Sequence, residues 1–137
     1  MGALVKFHTQ HKILLLAHSR KHFYELGRLV AKPKTLSLEK LKDKYGEIFM
    51  EAFTLKATPK KNTDLLLHMM GFLKKLLTKS EKADIFRTNE DYQNELLPLI
   101  VPVTLIRHQI KKHSIEYLLE QEYLNPHPKE LMLRNQV

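Results

Sequence analysis

Histidine is the residue type in this chain whose spacing first suggests chemistry. There are eight, and His8, His11, His18 and His22 come early. At about 100° per residue these four share a stripe roughly 80° wide, provided one helix runs to position 22. His8/His11 at i,i+3 and His18/His22 at i,i+4 have a spacing that can hold a metal. Yet no carboxylate lies near them before Glu25, and the H-E-x-x-H pattern is absent. Leu4 and Leu15 share the stripe, and Phe7 and Leu14 lie beside it, so the histidines border an apolar face. Three readings stay open. The first is a metal-dependent enzyme. The second is a set of buried or half-buried histidines with internally bonded ring nitrogens. The third is a polar cleft where histidine and lysine meet an RNA backbone or base.

Other catalytic machinery is hard to assemble. The chain has no cysteine, which removes disulfides, iron–sulfur clusters, thiolate zinc sites and cysteine nucleophiles together. It also fits a reducing cytoplasm. No Gly-rich phosphate loop or G-x-S-x-G elbow occurs. Ser19 beside His18 suggests a nucleophile and base, but helical neighbours point in different directions. Glu90 and Asp91 lie on polar, loop-like sequence. The chain reads as non-catalytic on its own, with no cofactor and no metal.

Charge points more clearly to a partner. The formal net charge of the 137 residues is +8. Residues 1–62 carry 13 Lys and Arg against 5 Asp and Glu, whereas residues 63–137 carry 10 of each. A surplus gathered in one half favours a polyanion, because each neutralised phosphate releases a condensed counterion. Lys12 and Arg28 belong to this surplus. Lys60 and Lys61 follow Thr58-Pro59, a cap with proline at the first helical position, so free N–H groups and two lysines make a seat for phosphate. Further along that helix come His68, then Met69 and Met70 as core, and Gly71 as a place for a close helix crossing. Arg107, His108, Lys111 and Lys112 share one arc, largely opposite Val103, Leu105, Ile106 and Ile110. Such a stripe can track a phosphate backbone or be a solvated amphipathic face.

The elements that must position these residues are helices. Leucines recur at helical spacing, and no Asn-Gly or Asp-Gly hairpin signal appears. Caps and prolines set the expected boundaries. The first helix runs over about Ala3 to His18. Ser19 caps a second, Arg20 to Ala31, which stops before Lys32-Pro33. Ser37 caps a third, Leu38 to Lys56. A fourth opens after Thr58 and runs to about Leu77. Ser80 with Glu81 opens a fifth, ending near Leu97-Pro98. Val101-Pro102 opens a sixth, through Lys112, and Ser114 starts a short seventh to about Gln121. The tail, Tyr123 to Val137, should be extended, with one turn around Glu130–Leu133. The fold class is therefore all-α: a compact bundle of six or seven helices, residues 1–137 forming a single domain with an extended C-terminal tail. The longest near-apolar run, Leu96 to Ile106, is too short to span a bilayer, and the Ile13–Ala17 stretch is too short for a secretory signal. A soluble cytoplasmic protein is expected, with no membrane partner.

Several strings in fixed order carry a resemblance: Phe7-His8-Thr9-Gln10-His11-Lys12, Leu16-Ala17-His18-Ser19, Leu26-Gly27-Arg28, His68-Met69-Met70-Gly71, Pro98-Leu99-Ile100-Val101-Pro102, and the tail Tyr123-Leu124-Asn125-Pro126-His127-Pro128 with Leu133-Arg134-Asn135. From about Leu4 to Val137 the chain resembles the bacterial YbgA-like domain of unknown function. That domain occurs alone or fused behind a cysteine-rich TudS-like desulfidase domain carrying an iron–sulfur cluster. The resemblance implies an accessory tRNA-binding part in the removal of sulfur from 4-thiouridine, with the desulfidase in cis or in trans. One departure is notable. The family pattern has a histidine after the Lys-Lys pair and an asparagine two residues later, where this sequence has Asn62 and Asp64. A carboxylate there weakens anion binding.

The reading is thus a tRNA or RNA-binding helical module. Lys12, Arg28, Lys60, Lys61, Arg107, Lys111 and Lys112, with His108 on the same arc, would hold phosphates. His11, His18 and His68 would line a cleft where a base or sugar is read. The rival is a protein-interaction or structural domain docking an acidic partner.

Overall fold

The computed structural model describes residues 2–31 and 36–125. Seven α-helices and one 3-10 helix make up the regular structure of those residues, and none is a strand. They are α1 (Gly2–His18), α2 (Arg20–Ala31), α3 (Leu38–Ala52), α4 (Pro59–Leu73), α5 (Lys79–Gln93), α6 (Ile100–Lys112) and α7 (Glu116–Leu119), followed by the 3-10 helix Glu122–Leu124. The all-α class expected from leucine spacing is the class observed. Lys32 and Pro33, the expected stop of α2, and the tail from Pro126 with its expected turn lie outside the described residues. Among the described residues no helix is long and apolar enough to cross a membrane.

Capping chemistry decides where these helices start. Ser37 accepts from Lys40 N–H (3.3 Å) and Thr58 accepts from Lys61 N–H (3.2 Å), with Pro59 in the first turn. The fifth helix opens at Thr78 rather than at Ser80. Thr78 and Glu81 stand three apart and form a reciprocal capping box, Glu81 N–H to the Thr78 hydroxyl (3.1 Å) and Thr78 N–H to Glu81 Oε1 (2.8 Å). Ser80 is adjacent to Glu81 and cannot make that exchange. The Thr78 backbone N–H, and then its hydroxyl, hold the Glu81 carboxyl down at about 2.

Several helices end earlier than the sequence suggests. α3 stops at Ala52 rather than Lys56, and Thr54 turns its hydroxyl back onto Glu51 C=O (2.6 Å). α4 stops at Leu73 rather than Leu77, freeing Thr78 to take the extended conformation that its cap requires. α5 ends at Gln93, where Glu95 adopts a left-handed backbone (φ 61°) and Leu96 N–H closes onto Asp91 C=O (2.8 Å). Glu90 and Asp91 therefore sit on a helix, not a loop. Ser114 does not start a helix but ends α6: it too is left-handed (φ 54°), and Ile115 N–H reaches Ile110 C=O (3.1 Å). α7 is only Glu116–Leu119. The tail is not extended from Tyr123, because Tyr123 and Leu124 are buried in the 3-10 helix.

Two groups of buried side chains share α1. Leu4 and Leu15 pack with Leu26 of α2 and Leu41, Tyr45 and Ala52 of α3. Ile13, Leu14 and Ala17 pack into a larger cluster with α4, α5, α6 and the C-terminal turns. Leu14 and Leu15 are 100° apart on the helix, so adjacent residues serve opposite clusters. Gln121 fixes the C-terminal turns to α1, donating to Thr9 C=O (2.7 Å) and accepting from Ile13 N–H (3.2 Å). Met69 and Met70 are core. Gly71 serves no crossing, since a Cβ added there meets nothing within 4 Å.

Candidate functional site

The seam between the two clusters holds a groove of about 570 Å³. Ile13, Leu65 and Leu118 give it a buried apolar floor. Lys12 of α1, Arg20 of α2 and Lys61 and His68 of α4 give it cationic and polar walls. Tyr24, Phe72 and Tyr117 stand along it with relative exposures of 51%, 48% and 48%, so each is about half open to solvent. A second groove of about 510 Å³ adjoins the first, sharing Lys12, Phe23 and Tyr24 and adding His8, Gly27 and Arg28. Lys12, Arg20 and Lys61 thus line the first groove, and Lys12 and Arg28 line the second beside it, with Phe23 and Tyr24 common to both.

The groove follows from local spacing. Arg20 and Tyr24 are one turn apart on α2, and Asp64, His68 and Phe72 are successive turns of α4, so each set lines one face of its helix. Lys61 is held in place by donating from Nζ to His18 C=O (3.0 Å), which ties the start of α4 to the end of α1. His68 meets Phe72 edge to face at 5.6 Å.

Of the residues marked out in the sequence, Lys12, Lys61 and His68 meet in the first groove, and Arg28 joins Lys12 in the second. Lys60 is exposed at the start of α4 and lines neither. Arg107, His108, Lys111 and Lys112 are exposed on α6 and line neither groove. Arg107 donates to Asn125 Oδ1 (3.2 Å), and Lys112 lies 3.5 Å from Glu81. Asn62 is buried and joins the hydroxyls of Tyr92 and Tyr123.

The early histidines are held internally. His11 Nδ1 bonds Phe7 C=O (2.7 Å) and its ring stacks on Phe7. His18 Nδ1 bonds Leu55 C=O (2.8 Å) against the Phe53 ring. Neither lines either of these two grooves. His22 lies between Ser19 and Glu51, with Nε2 3.1 Å from the Glu51 carboxylate and Nδ1 against the Ser19 hydroxyl. A serine, a histidine and a carboxylate in contact invite a catalytic reading. However, Ser19 and His22 are each 5% exposed, and Ser19 caps α2 by accepting His22 N–H (3.2 Å). The trio clamps α2 to α3. Among the described residues no three His, Asp or Glu side chains gather as a metal site.

His8 is buried, with Nδ1 2.9 Å from the Tyr45 hydroxyl. Burial raises Tyr45, so its phenol stays protonated beside His8. Burial first, then the charges of Lys12 and His11, push His8 below its usual 6.5. The folded protein thus resists a proton that the unfolded chain accepts. The resulting stabilisation is complete above pH 6.5 and is lost as pH falls from there through the lowered value. The His8 ring resonances are expected to titrate below 6.5 by NMR. The thermal midpoint is expected to fall with pH in that window, and to fall less in His8→Gln.

Arg20, Tyr24, Phe72 and Tyr117 stand outside the charge runs and histidines that the sequence marks out. The i,i+4 pairing of Arg20 with Tyr24 and of His68 with Phe72 was the available signal.

Comparison with known proteins places the chain. The family described as "Protein of unknown function (DUF1722)" matches residues 12–128. Over 135 residues the chain is 25% identical to the protein titled "Uncharacterized protein YbgA" of Escherichia coli (strain K12), covering 98% of this chain and 80% of that one. No solved structure matches. Every residue lining the first groove, from Lys12 to Leu118, falls within the matched span, and the chain belongs to the DUF1722 family, as a YbgA-like domain.

Proposed function

We propose that this domain binds RNA along the two neighbouring grooves and acts as the substrate-holding module of a tRNA-modifying system. The class of system is the one suggested by the resemblance in the sequence, a 4-thiouridine desulfidase whose TudS-like iron–sulfur domain acts in cis or in trans. One observation carries the binding reading: Lys12, Arg20 and Lys61 share a groove with three half-exposed aromatic residues, and Arg28 lines the groove beside it. Cations that follow a phosphate backbone, interleaved with ring faces on which bases stack, are the recurring means of holding single-stranded nucleic acid. The polar histidine and the apolar floor suit an unstacked base better than a duplex.

The test is fluorescence anisotropy with labelled tRNA and the purified domain, in a series of salt concentrations. With four cations engaged, log affinity should fall against log salt with a slope of about −3. Failure to bind any tRNA at low salt removes the proposal.

A further inference from the structure

One wall of the groove carries a group that a plain phosphate seat would avoid. Asp64 stands on α4 between Lys61 and His68 and shares the groove with Lys12 and Arg20. Its side chain is exposed, and it has no ion pair or hydrogen bond among the described residues. A carboxylate here repels phosphate. It can only accept hydrogen bonds, so the parts of an RNA that it favours are the N–H donors of the bases and the ribose 2′-OH.

We propose that Asp64 reads guanine. The inference rests on the RNA-binding reading and adds a base identity to it. A carboxylate has two oxygens and accepts two parallel bonds best. The Watson–Crick edge of guanine presents N1–H and N2–H side by side and fills both. Adenine and cytosine place one amino donor next to a ring-nitrogen acceptor, which faces the second oxygen unfavourably. Uracil flanks its single N–H with two carbonyls. The guanine edge is free only in single-stranded or extruded nucleotides. Asp64, His68 and Phe72 are spaced by single turns on one face of α4, ~6 Å apart along the helix. The two rings, set perpendicular to one another, stand next to the carboxylate. Lys12 and Lys61 remain for the flanking phosphates.

The experiment compares labelled uridine hexamers that carry one central G, A, C or U. The wild-type domain is expected to prefer the guanine hexamer by about tenfold, as a bidentate base contact provides. Asp64→Asn should reduce that preference below about twofold, while binding of the all-uridine hexamer holds or tightens as a negative charge leaves the groove. The exposed position makes the substitution neutral for folding, which circular dichroism verifies. Equal binding of all four hexamers by the wild type, or a guanine preference retained in Asp64→Asn, overturns the assignment and leaves RNA binding standing. No binding of any hexamer also overturns the assignment, and the tRNA titration alone decides the RNA-binding reading.

Discussion

Reversing Lys12 and Arg20 together, as Lys12→Glu with Arg20→Glu, should lower tRNA affinity by about a hundredfold at low salt. The two cations come from different helices and face one groove. The variant therefore replaces two attractive contacts with two repulsive ones without touching the core. The salt slope should flatten by about 1.4, two contacts' worth for single-stranded RNA. Lys111→Glu with Lys112→Glu is the matched control on α6, with an expected loss under about threefold, since Lys112 already faces Glu81 and neither lysine lines the groove. Anisotropy measures both variants, and a larger loss in the α6 variant would move the binding surface from the groove to that helix.

Asn62→Leu should destabilise the fold by about 3 kcal/mol and lower the melting midpoint by about 10 °C. Asn62 is 1% exposed; its Oδ1 accepts from the Tyr123 hydroxyl (2.8 Å) and its Nδ2 donates to the Tyr92 hydroxyl (3.2 Å). One amide thus ties α4 to α5 and to the C-terminal 3-10 helix. Leucine keeps the bulk but takes one bond from each of two buried phenols. Differential scanning calorimetry checks the shift. Because Asn62 does not line the groove, tRNA affinity measured well below the midpoint should be unchanged.

The fold class was readable because helical chemistry is local. Ser37, Ser19 and Thr58 announce their helices by side chains that bond within one turn. The ends were less legible. Sequence reasoning expects glycine where a helix closes in the left-handed region, yet Glu95 and Ser114 take that conformation without it. Burial of Leu99 and Tyr92 beside the first, and of Ile110 and Leu118 around the second, comes from tertiary packing that no local pattern encodes. The site divides in the same way. Lys12, Lys61 and His68 were visible as cations and a histidine, but their meeting depends on how α1 crosses α4. In the sequence Asn62 and Asp64 stand together as a departure near a phosphate seat. The structure separates them: one is a buried strut, the other lines the groove.

The division of α1 between two clusters bears on what a ligand does to the molecule as a whole. Arg20 and Tyr24 ride with the α2–α3 layer, whereas Lys61, His68 and Tyr117 ride with the larger body. A polyanion gripping both banks acts as a splint across them. Its binding energy then adds directly to the free energy that keeps the smaller layer from peeling away. Amides of α2 and α3 should exchange with deuterium most slowly when the trough is full, so that occupancy is recorded even in α3, which lines neither groove.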